Sequence, residues 1–413
     1  MNGGAGAPGG SEGGRGSAEA AGAAGPAVAA STVAAAARLA ADVAPHAARW
    51  DREGALPAAA RKEVAAAGLL APDLPGRYGG LDASPVELGE ICAHLGGVCS
   101  ALRGLVTVQS MVAAALNRWG TREQRARWLP QLASGELIAG FAATEDAAGS
   151  ALAEVGTRIE DAGDGEHVTV TGRKKWITFG QDAQVLLVLG KDRGRPSAVL
   201  VETDRDGVSR EPVGGQLGMR AAQIAHVGMD AVRVPRGNLV APAGLGLSHV
   251  AAAALDHGRF TVAWGCVGMA EACVADAAAH AAARVQGEAV LAGHQAVRSL
   301  LARAAVETAG ARELALRAAR FRAEAAPGAV TETIVAKYAA AAAAASASRD
   351  AVQVLGSAGC EPDSRAGRHF RDAKVMEIIE GAQQVAEQHI AEQLLRRSGT
   401  PLPGTGARQA EAS

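Results

Sequence analysis

The sequence is poor in aromatic residues and cysteine, and neither sign of charge predominates. Phe, Trp and Tyr make up 3% of the 413 residues, whereas apolar residues make up 48% and glycine adds 52 residues. A core of this composition relies on aliphatic side chains and close backbone packing. Lys and Arg number 41 against 43 Asp and Glu, giving a net charge of −2, so a broad phosphate-binding surface and a nucleic-acid partner are not expected. The length predicts two or three domains.

Membrane spans and secretion signals are also lacking from the sequence pattern. The alanine-rich run Ala339–Ala345 is too short and too weakly apolar to cross about 30 Å of hydrocarbon. Residues 1–30 are rich in Gly, Ala and Ser without an apolar core, which predicts a disordered tail rather than a signal peptide. The five cysteines form no CxxC pair and the ten histidines are dispersed. We therefore expect free thiols, no metal site, no membrane partner and a cytoplasmic location.

The order of patterns along the chain predicts a mainly α protein with a central β domain. Helical periodicity covers residues 31–136, short alternating runs between Gly/Asp-rich turns cover 137–246, and helical periodicity returns over 247–397. Residues 398–413 are again expected to be disordered. Helices, then strands, then helices do not make a doubly wound nucleotide fold. We expect an antiparallel sandwich or barrel in the middle and a close-packed helical bundle at the C-terminal end.

Two segments have residue types that suit a flat cofactor. In Phe141–Ser150 (FAATEDAAGS), small residues let a ligand approach the backbone and Thr144 and Ser150 add hydroxyls. In Lys175–Gly180, the Trp176 ring can stack and the neighbouring Thr178 hydroxyl can donate to a ring nitrogen. The alternatives are an ordinary polar linker for the first segment, and a core tryptophan with a strand threonine for the second.

Glu380 is the candidate general base. It follows Met376, Ile378 and Ile379, and loss of hydration among apolar neighbours raises the pKa of a carboxyl group. The alternative is an exposed glutamate at the start of the last helix. A further candidate, Gln353–Gly359 with Arg284 and Gln295, can equally be a helix C-cap with solvated polar side chains.

Taken in order, these segments resemble landmarks of the acyl-CoA dehydrogenase family from about residue 47 to residue 395. In TEDAAGS, Asp146 stands where the family usually has proline; Ala151, Gly287 and Ala382 stand where it usually has Asp, Phe and Thr. The matching segments are GLLAPDLPGRYGG at Gly68–Gly80, GTREQRARWLPQLASGE at Gly120–Glu136, TEDAAGS at Thr144–Ser150, WIT at Trp176–Thr178, LGMR at Leu217–Arg220, VRVP at Val232–Pro235, RDAK at Arg371–Lys374 and EG at Glu380–Gly381.

The resemblance implies an N-terminal helical domain, a middle β domain and a C-terminal four-helix bundle, with FAD bound in a homodimer or homotetramer. It implies that Glu380 is the base and that Arg259 and Ser150 shape the substrate site. The implied FAD contacts are Phe141, Ala143 and Thr144 along the flavin, Ser150 near the flavin and pyrophosphate, Trp176 over the isoalloxazine, Thr178 donating to N5, Arg284, Gln295, Gln353 and Gly356 on the ADP half in a neighbouring subunit, and Gln384 near the adenine.

Some members of the family place the base just before the arginine of the segment that reads LDHGR here. That position is Gly258, which cannot serve, so the resemblance leaves Glu380 as the base. The segments Trp176–Gln181, Gly258–Ala270 and His294–Arg298 resemble dehydrogenases of methoxymalonyl-type extender-unit biosynthesis in particular. In those enzymes the acyl group rides on an acyl carrier protein, and we expect a glyceryl-type substrate.

Three alternatives compete with this expectation. One is an acyl-CoA dehydrogenase that breaks down short or branched acyl-CoA, and another is a monooxygenase of the same fold. The third is a non-catalytic scaffold, which the presence of Trp176, Thr178 and Glu380 disfavours. The electron acceptor cannot be predicted from the sequence.

Overall fold

The computed structural model describes Met1 and residues 26–398, in which helices surround one central sheet; the rest of the expected tails at 1–30 and 398–413 lies outside the described residues. The helices are α1 (Pro26–Val43), α2 (Ala47–Glu53), α3 (Ala58–Ala66), α4 (Pro85–Gly96), α5 (Ser100–Trp119), α6 (Arg122–Ser134), α7 (Ala252–Ala283), α8 (Gln295–Ala323), α9 (Ala329–Leu355), α10 (Arg365–Met376) and α11 (Gln383–Arg397). The strands are β1 (Ala139–Ala142), β2 (Arg158–Asp161), β3 (His167–Ile177), β4 (Val185–Asp192), β5 (Arg195–Glu202), β6 (Val208–Pro212), β7 (Ala225–Pro235), β8 (Leu239–Val240), β9 (Val285–Gln286) and β10 (Ala289–Val290).

The N-terminal helices begin and end where the sequence provides the signals. Ser84 caps α4 and Thr121 caps α6, each in a capping box with a Glu or Gln three residues later. Helix α1 begins at Pro26, ahead of the expected start at Ser31. Helix α5 is buried over most of its length, so this helix lies inside the protein between the other domains.

The middle domain is one eight-stranded sheet with the order β6-β7-β3-β2-β4-β5-β8, and β1 pairs with β4. Most pairs are antiparallel, as the alternating runs predict, but β1 and β2 both run parallel to β4. The expectation of a purely antiparallel domain was therefore incomplete. Strand β4 (VLLVLGKD) is buried over its first six residues, which suits a strand covered on both faces.

The C-terminal domain is a helical bundle built around α7. Helix α7 packs on α4, α5, α8 and α9, and its Trp264 is fully buried. The helical stretch Gly246–Ala283 is long and apolar enough to cross a membrane by length and composition alone. However, 61% of its most apolar window is buried inside the protein, as in the core helix of a bundle.

Small residues make this packing possible. A Cβ atom at Gly268 of α7 would overlap the Ala93 carbonyl of α4, and one at Gly96 of α4 would lie 2.5 Å from the Gly265 oxygen. Four of the five cysteines are buried free thiols in this core, and Cys360 is an exposed free thiol. The alanine and glycine content thus serves close helix contact rather than chemistry.

Candidate active site

The two segments predicted to suit a flat cofactor lie side by side. The Lys175 amide donates to the Thr144 carbonyl over 2.9 Å, which joins Phe141–Ser150 to Lys175–Gly180. The Trp176 side chain is 54% exposed. This exposure is unexpected, because the chain has few aromatic residues and a large ring is normally placed in the core. Its backbone has a φ of 59°, in the left-handed region that non-glycine residues rarely adopt and that is concentrated at functional sites. This strained turn presents the indole at the surface beside the Thr144 loop.

The donors beside this indole are free to meet a ligand. Neither the Thr144 nor the Thr178 hydroxyl bonds to another residue within the described part of the chain. The Trp176 amide donates to His226 Nδ1 over 3.2 Å, and the two rings meet edge to face with centroids 5.4 Å apart. An exposed, oriented indole with two free hydroxyls nearby fits a flavin ring, which offers a flat face and ring acceptors.

The other residues expected along the flavin lie on β1 and on the loop that follows it. Phe141 lies on β1 and packs partly buried against the core. Ala143 is buried and Ser150 is exposed, with no hydrogen bond from the Ser150 hydroxyl to another described residue. The structure places all three beside Thr144, and their contacts with a cofactor stay predictions.

A buried ion pair supports the loop from below. Lys174 Nζ, whose side chain is fully buried, bonds to Glu145 Oε1 over 2.6 Å and to the Ala143 carbonyl over 3.1 Å. Burial raises the pKa of Glu145, but hydrogen bonds from Lys174, Thr157 and the Gly156 amide outweigh it and hold the pKa at about 2. The Glu145 carboxylate is therefore ionised at neutral pH, and burial lowers the pKa of its partner Lys174. The hydrogen bonds of this pair fix the loop that carries Thr144.

Replacing Lys174 with methionine should loosen this loop and lower the retention of FAD. Removing one partner of a buried pair leaves Glu145 uncompensated and costs about 3–5 kcal/mol. Lys175→Met is the matched control, because the Lys175–Asp146 pair is exposed at its acidic end and should be worth at most about 1 kcal/mol. Flavin absorbance per protein and Tm measure both effects. Equal retention of FAD by the two variants would contradict this role for Lys174.

The candidate base lies on a strained turn between α10 and α11. Glu380 and Gly381 have φ values of 56° and 101°. The turn is held by two cations on the bundle helices, since Arg259 Nε donates to the Glu380 carbonyl over 2.8 Å and Lys337 Nζ donates to the Gly381 carbonyl over 2.9 Å. Glu380 is not a residue of α11, which begins at Gln383, so the alternative of an exposed residue at a helix start was wrong.

The Glu380 carboxylate packs against Gly258, where only a glycine leaves room for it. Its Oε2 atom is buried and has no hydrogen-bond partner within the described residues. A Cβ atom at Gly258 would lie 2.7 Å from this oxygen and 2.7 Å from Met111 Sδ. Burial raises the pKa of Glu380 to about 7 against the opposing charges of Arg259, Lys337 and Arg103. The structure thus brings the two family base positions together, with the carboxylate on Glu380 and a glycine at position 258, where a side chain would collide with that carboxylate.

Helix α5 lies against both the candidate base and the segment Lys175–Gly180, which suits a flat cofactor. Gly104 of α5 lies beside the segment that holds Thr178, since a Cβ atom on Gly104 would lie 2.7 Å from Met219 Cε and 3.9 Å from Thr178 Cγ2. Two helical turns later, Met111 reaches Gly258 and Glu380. The indole segment and the base therefore border the same helix.

Sequence reasoning missed two buried cations near this site. Arg103 on α5 and Lys337 on α9 are each 1% exposed. Each is the one charged residue in a long uncharged stretch, between Glu90 and Arg118 and between Glu332 and Arg349 respectively. A lone charge inside an apolar helix was the available signal, since such a charge is rarely buried without a role.

The residues expected at the ADP half of FAD lie at or near the ends of the bundle helices. Arg284 follows the end of α7, Gln295 begins α8, and Gly356 follows α9 with a φ of 60°. Like Gln353 and Gln384, they are exposed at the surface of the bundle. Their contacts with FAD stay predictions.

We expect the rate of substrate-driven flavin reduction to rise with pH through about 7. The base accepts a proton only when ionised, and burial raises the pKa of Glu380 to about 7. Below this value the carboxyl is protonated and the rate falls tenfold per pH unit. Stopped-flow bleaching between pH 5.5 and 8.5 measures the profile, and a flat profile over that range would contradict a base in this environment.

Three family models match the chain in order: "Acyl-CoA dehydrogenase, N-terminal domain" over 29–136, "middle domain" over 140–232 and "C-terminal domain" over 246–395. The probable acyl-CoA dehydrogenase YngJ of Bacillus subtilis is 31% identical over 363 residues, covering 86% of this chain and 94% of YngJ.

Two solved structures extend the comparison. The structure titled FkbI for biosynthesis of the methoxymalonyl extender unit of the Fk520 polyketide is 38% identical, covers 87% of this chain and 99% of that one, and gives a TM-score of 0.80. A glutaryl-CoA dehydrogenase from Mycobacterium smegmatis in complex with FADH2 is 26% identical, covers 89% and 94%, and gives a TM-score of 0.84. The chain belongs to the acyl-CoA dehydrogenase family of FAD-dependent oxidoreductases.

Proposed function

We propose that this enzyme dehydrogenates an acyl thioester, with Glu380 removing the α-proton as the β-hydrogen leaves as hydride. The observation that carries the proposal is the Glu380 carboxylate, whose Oε2 atom is buried, makes no hydrogen bond to another described residue and packs against Gly258. A carboxylate that is poorly solvated and has a pKa near 7 is matched to proton abstraction at neutral pH.

Bound FAD supplies the hydride acceptor at its N5 atom. The residues of this chain would hold that ring, with Trp176 covering one face and the Thr178 and Thr144 hydroxyls donating to its edge. The Glu380 amide makes no hydrogen bond to another described residue, so it can donate to the thioester carbonyl and acidify the α-proton. A donor placed in this way typically contributes about 3–4 kcal/mol to the transition state.

Arg259 and Lys337 act on this arrangement through the backbone. Their bonds to the Glu380 and Gly381 carbonyls hold the turn in its left-handed conformation. The same two side chains place positive charge near the carboxylate, which limits the rise of the Glu380 pKa. The turn therefore presents both the base and a free amide toward one substrate.

We infer that the substrate is a hydroxyacyl group of the glyceryl type, carried on an acyl carrier protein. The 38% identity to FkbI over 87% of the chain supports this choice. With a glyceryl thioester, the α-proton passes to Glu380 and the β-hydride to the flavin. The product is an enol at the β-carbon, which tautomerises to the aldehyde. The same site geometry thus oxidises a β-hydroxyl group without any further residue.

A homodimer or homotetramer is part of the proposal. Arg284, Gln295, Gln353 and Gly356 are exposed on one chain. The three polar side chains and the Gly356 backbone would then contact the ADP half of a cofactor that a second copy holds. Light scattering of the flavin-loaded enzyme tests this, and an FAD-loaded monomer would contradict it.

Anaerobic flavin bleaching with a panel of thioesters tests the proposed substrate. Glyceryl and butyryl groups would each be presented on CoA and on carrier protein. We expect glyceryl carrier protein to give the highest rate. If only CoA thioesters bleach the flavin, the carrier-protein proposal is wrong and the enzyme acts in acyl-CoA breakdown instead.

A further inference from the structure

Four arginines line a pocket that lies outside the candidate active site. The pocket forms where the turn between α1 and α2 meets the start of α10, and its volume is about 410 Å³. Its charged lining residues are Arg49, Arg52, Asp363, Arg365 and Arg368. One carboxylate thus stands among four guanidinium groups, although the whole chain has a net charge of −2. A local excess of positive charge in a concave site attracts an anion.

Two of these arginines are paired only at the surface. Arg52 pairs with Asp363, and their side chains are 47% and 71% exposed. Arg49 approaches Glu53 at 3.9 Å, again with both side chains more than half exposed. Exposed ion pairs of this kind are weak and are screened by water, so both guanidinium groups can turn toward a ligand.

Arg368 is the buried cation of this pocket. The residue is 5% exposed, and its Nη2 atom donates to the Val98 carbonyl over 3.0 Å. Its Nε atom is buried and, like Nη1, meets no acceptor among the residues that the structure describes. A buried cation without a counter-ion is costly, and an anion in the pocket would offset this cost.

The start of α10 adds to the positive potential. The helix spans 12 residues, and its N-cap Ser364 accepts a hydrogen bond from the Gly367 amide over 3.1 Å. Arg365 is the first helical residue, and Asp276 holds its Nε and Nη2 atoms. Its Nη1 atom is left without a partner in the described part of the chain. The N-terminal end of a helix carries partial positive charge, so the helix and Arg365 favour the same ligand.

We propose that this pocket binds the phosphate group of a small phosphorylated molecule. A guanidinium group offers a planar fork of donors that matches two phosphate oxygens. A second pocket of about 210 Å³ shares Val98 and Arg365 with the first and provides room for an organic part. Its small lining residues are Ala40, Ala93, Gly97, Gly268 and Ala272.

This site is separate from the proposed reaction. Neither Glu380 nor any residue expected to contact FAD lines either pocket. The proposal concerns binding and includes no covalent step, and it does not depend on the identity of the acyl substrate.

Isothermal titration of the FAD-loaded enzyme with inorganic phosphate, pyrophosphate and ADP, at one fixed ionic strength, tests the proposal. We expect saturable binding of at least one of the three. Tighter binding of ADP than of pyrophosphate would identify a nucleotide as the source of the phosphate, and the reverse order would identify a free phosphate or pyrophosphate. Binding of none of them would overturn the proposal.

Arg368→Met should weaken this binding by about 10- to 100-fold, because hydrogen bonds to a charged group are lost. Arg158→Met is the control. Arg158 is also an arginine, but its side chain is 60% exposed on β2 beside Glu160, so its replacement should leave the affinity unchanged. A wild-type affinity in Arg368→Met would show that the anion binds elsewhere and would overturn the proposal.

Arg49→Glu covers the case in which Arg368→Met does not fold. The Arg49 side chain is 54% exposed, so the fold should survive the change, while the attraction for phosphate becomes repulsion. We expect the affinity to fall about tenfold or more. Flavin absorbance is followed in the same titration, because ADP that releases FAD occupies the cofactor site instead. Phosphate binding that is unchanged in Arg49→Glu, or that occurs only with release of FAD, would contradict a site in this pocket.

Discussion

Glu380→Gln should slow substrate-driven flavin reduction by about 10²- to 10⁴-fold while the protein keeps its FAD. Glutamine has the same shape as the glutamate, so it fits between the turn and Gly258 without new contacts. It cannot accept the α-proton. Among the described residues, the Glu380 carboxylate is the one that lies nearest to the Cβ position of Gly258. Stopped-flow bleaching under anaerobic conditions measures the rate, and the flavin spectrum before mixing measures cofactor content.

Glu377→Gln is the matched control for this experiment, because it makes the same chemical change on the same turn. Glu377 pairs with Lys374 over 2.9 Å, and the Lys374 side chain is 59% exposed whereas that of Glu377 is 18% exposed. A pair with one partner at the surface should be worth about 1 kcal/mol. We expect Glu377→Gln to reduce the flavin at close to the wild-type rate. Full activity in Glu380→Gln would remove Glu380 as the base, whatever the control shows.

Much of the architecture could be predicted because its signals are local. The helical periodicity before and after the central alternating runs depends on residues a few positions apart, and the structure confirms the order of helices, sheet and helices. The parallel pairing of β1 with β4 was missed, because strand direction depends on how distant segments meet.

The candidate site also combines features that depend on neighbouring residues with features that depend on distant segments. Trp176 and Thr178 could be singled out because they share one short motif. The environment of Glu380 could not be predicted in detail, because it depends on Arg259 from 121 residues away and on Lys337 from α9. Arg103 was missed for the same reason: only the folded chain shows that its helix borders both the base and the Thr178 segment.

A large loss of stability is expected from Gly268→Ala in α7. The added Cβ atom would overlap the Ala93 carbonyl of α4, and this neighbour is backbone that cannot rotate away. The two helices must separate, which opens gaps along a contact that also includes Gly96 and Gly265. We expect a loss of about 3 kcal/mol in the free energy of unfolding, at the upper end for overpacked cores.

A Gly→Ala substitution inside a helix usually raises stability, whereas Gly268→Ala is expected to lower it. Alanine stabilises a helix interior over glycine by about 1 kcal/mol. Gly310 on α8 has no atom within 4 Å of its added Cβ, so Gly310→Ala should raise Tm, whereas Gly268→Ala should lower it by several degrees in the same calorimetric experiment. If both variants raised Tm, the close contact of α4 with α7 would not limit stability. The glycine and alanine content of the chain would then reflect helix propensity alone, and not the packing that brings α5 and α7 together around Glu380.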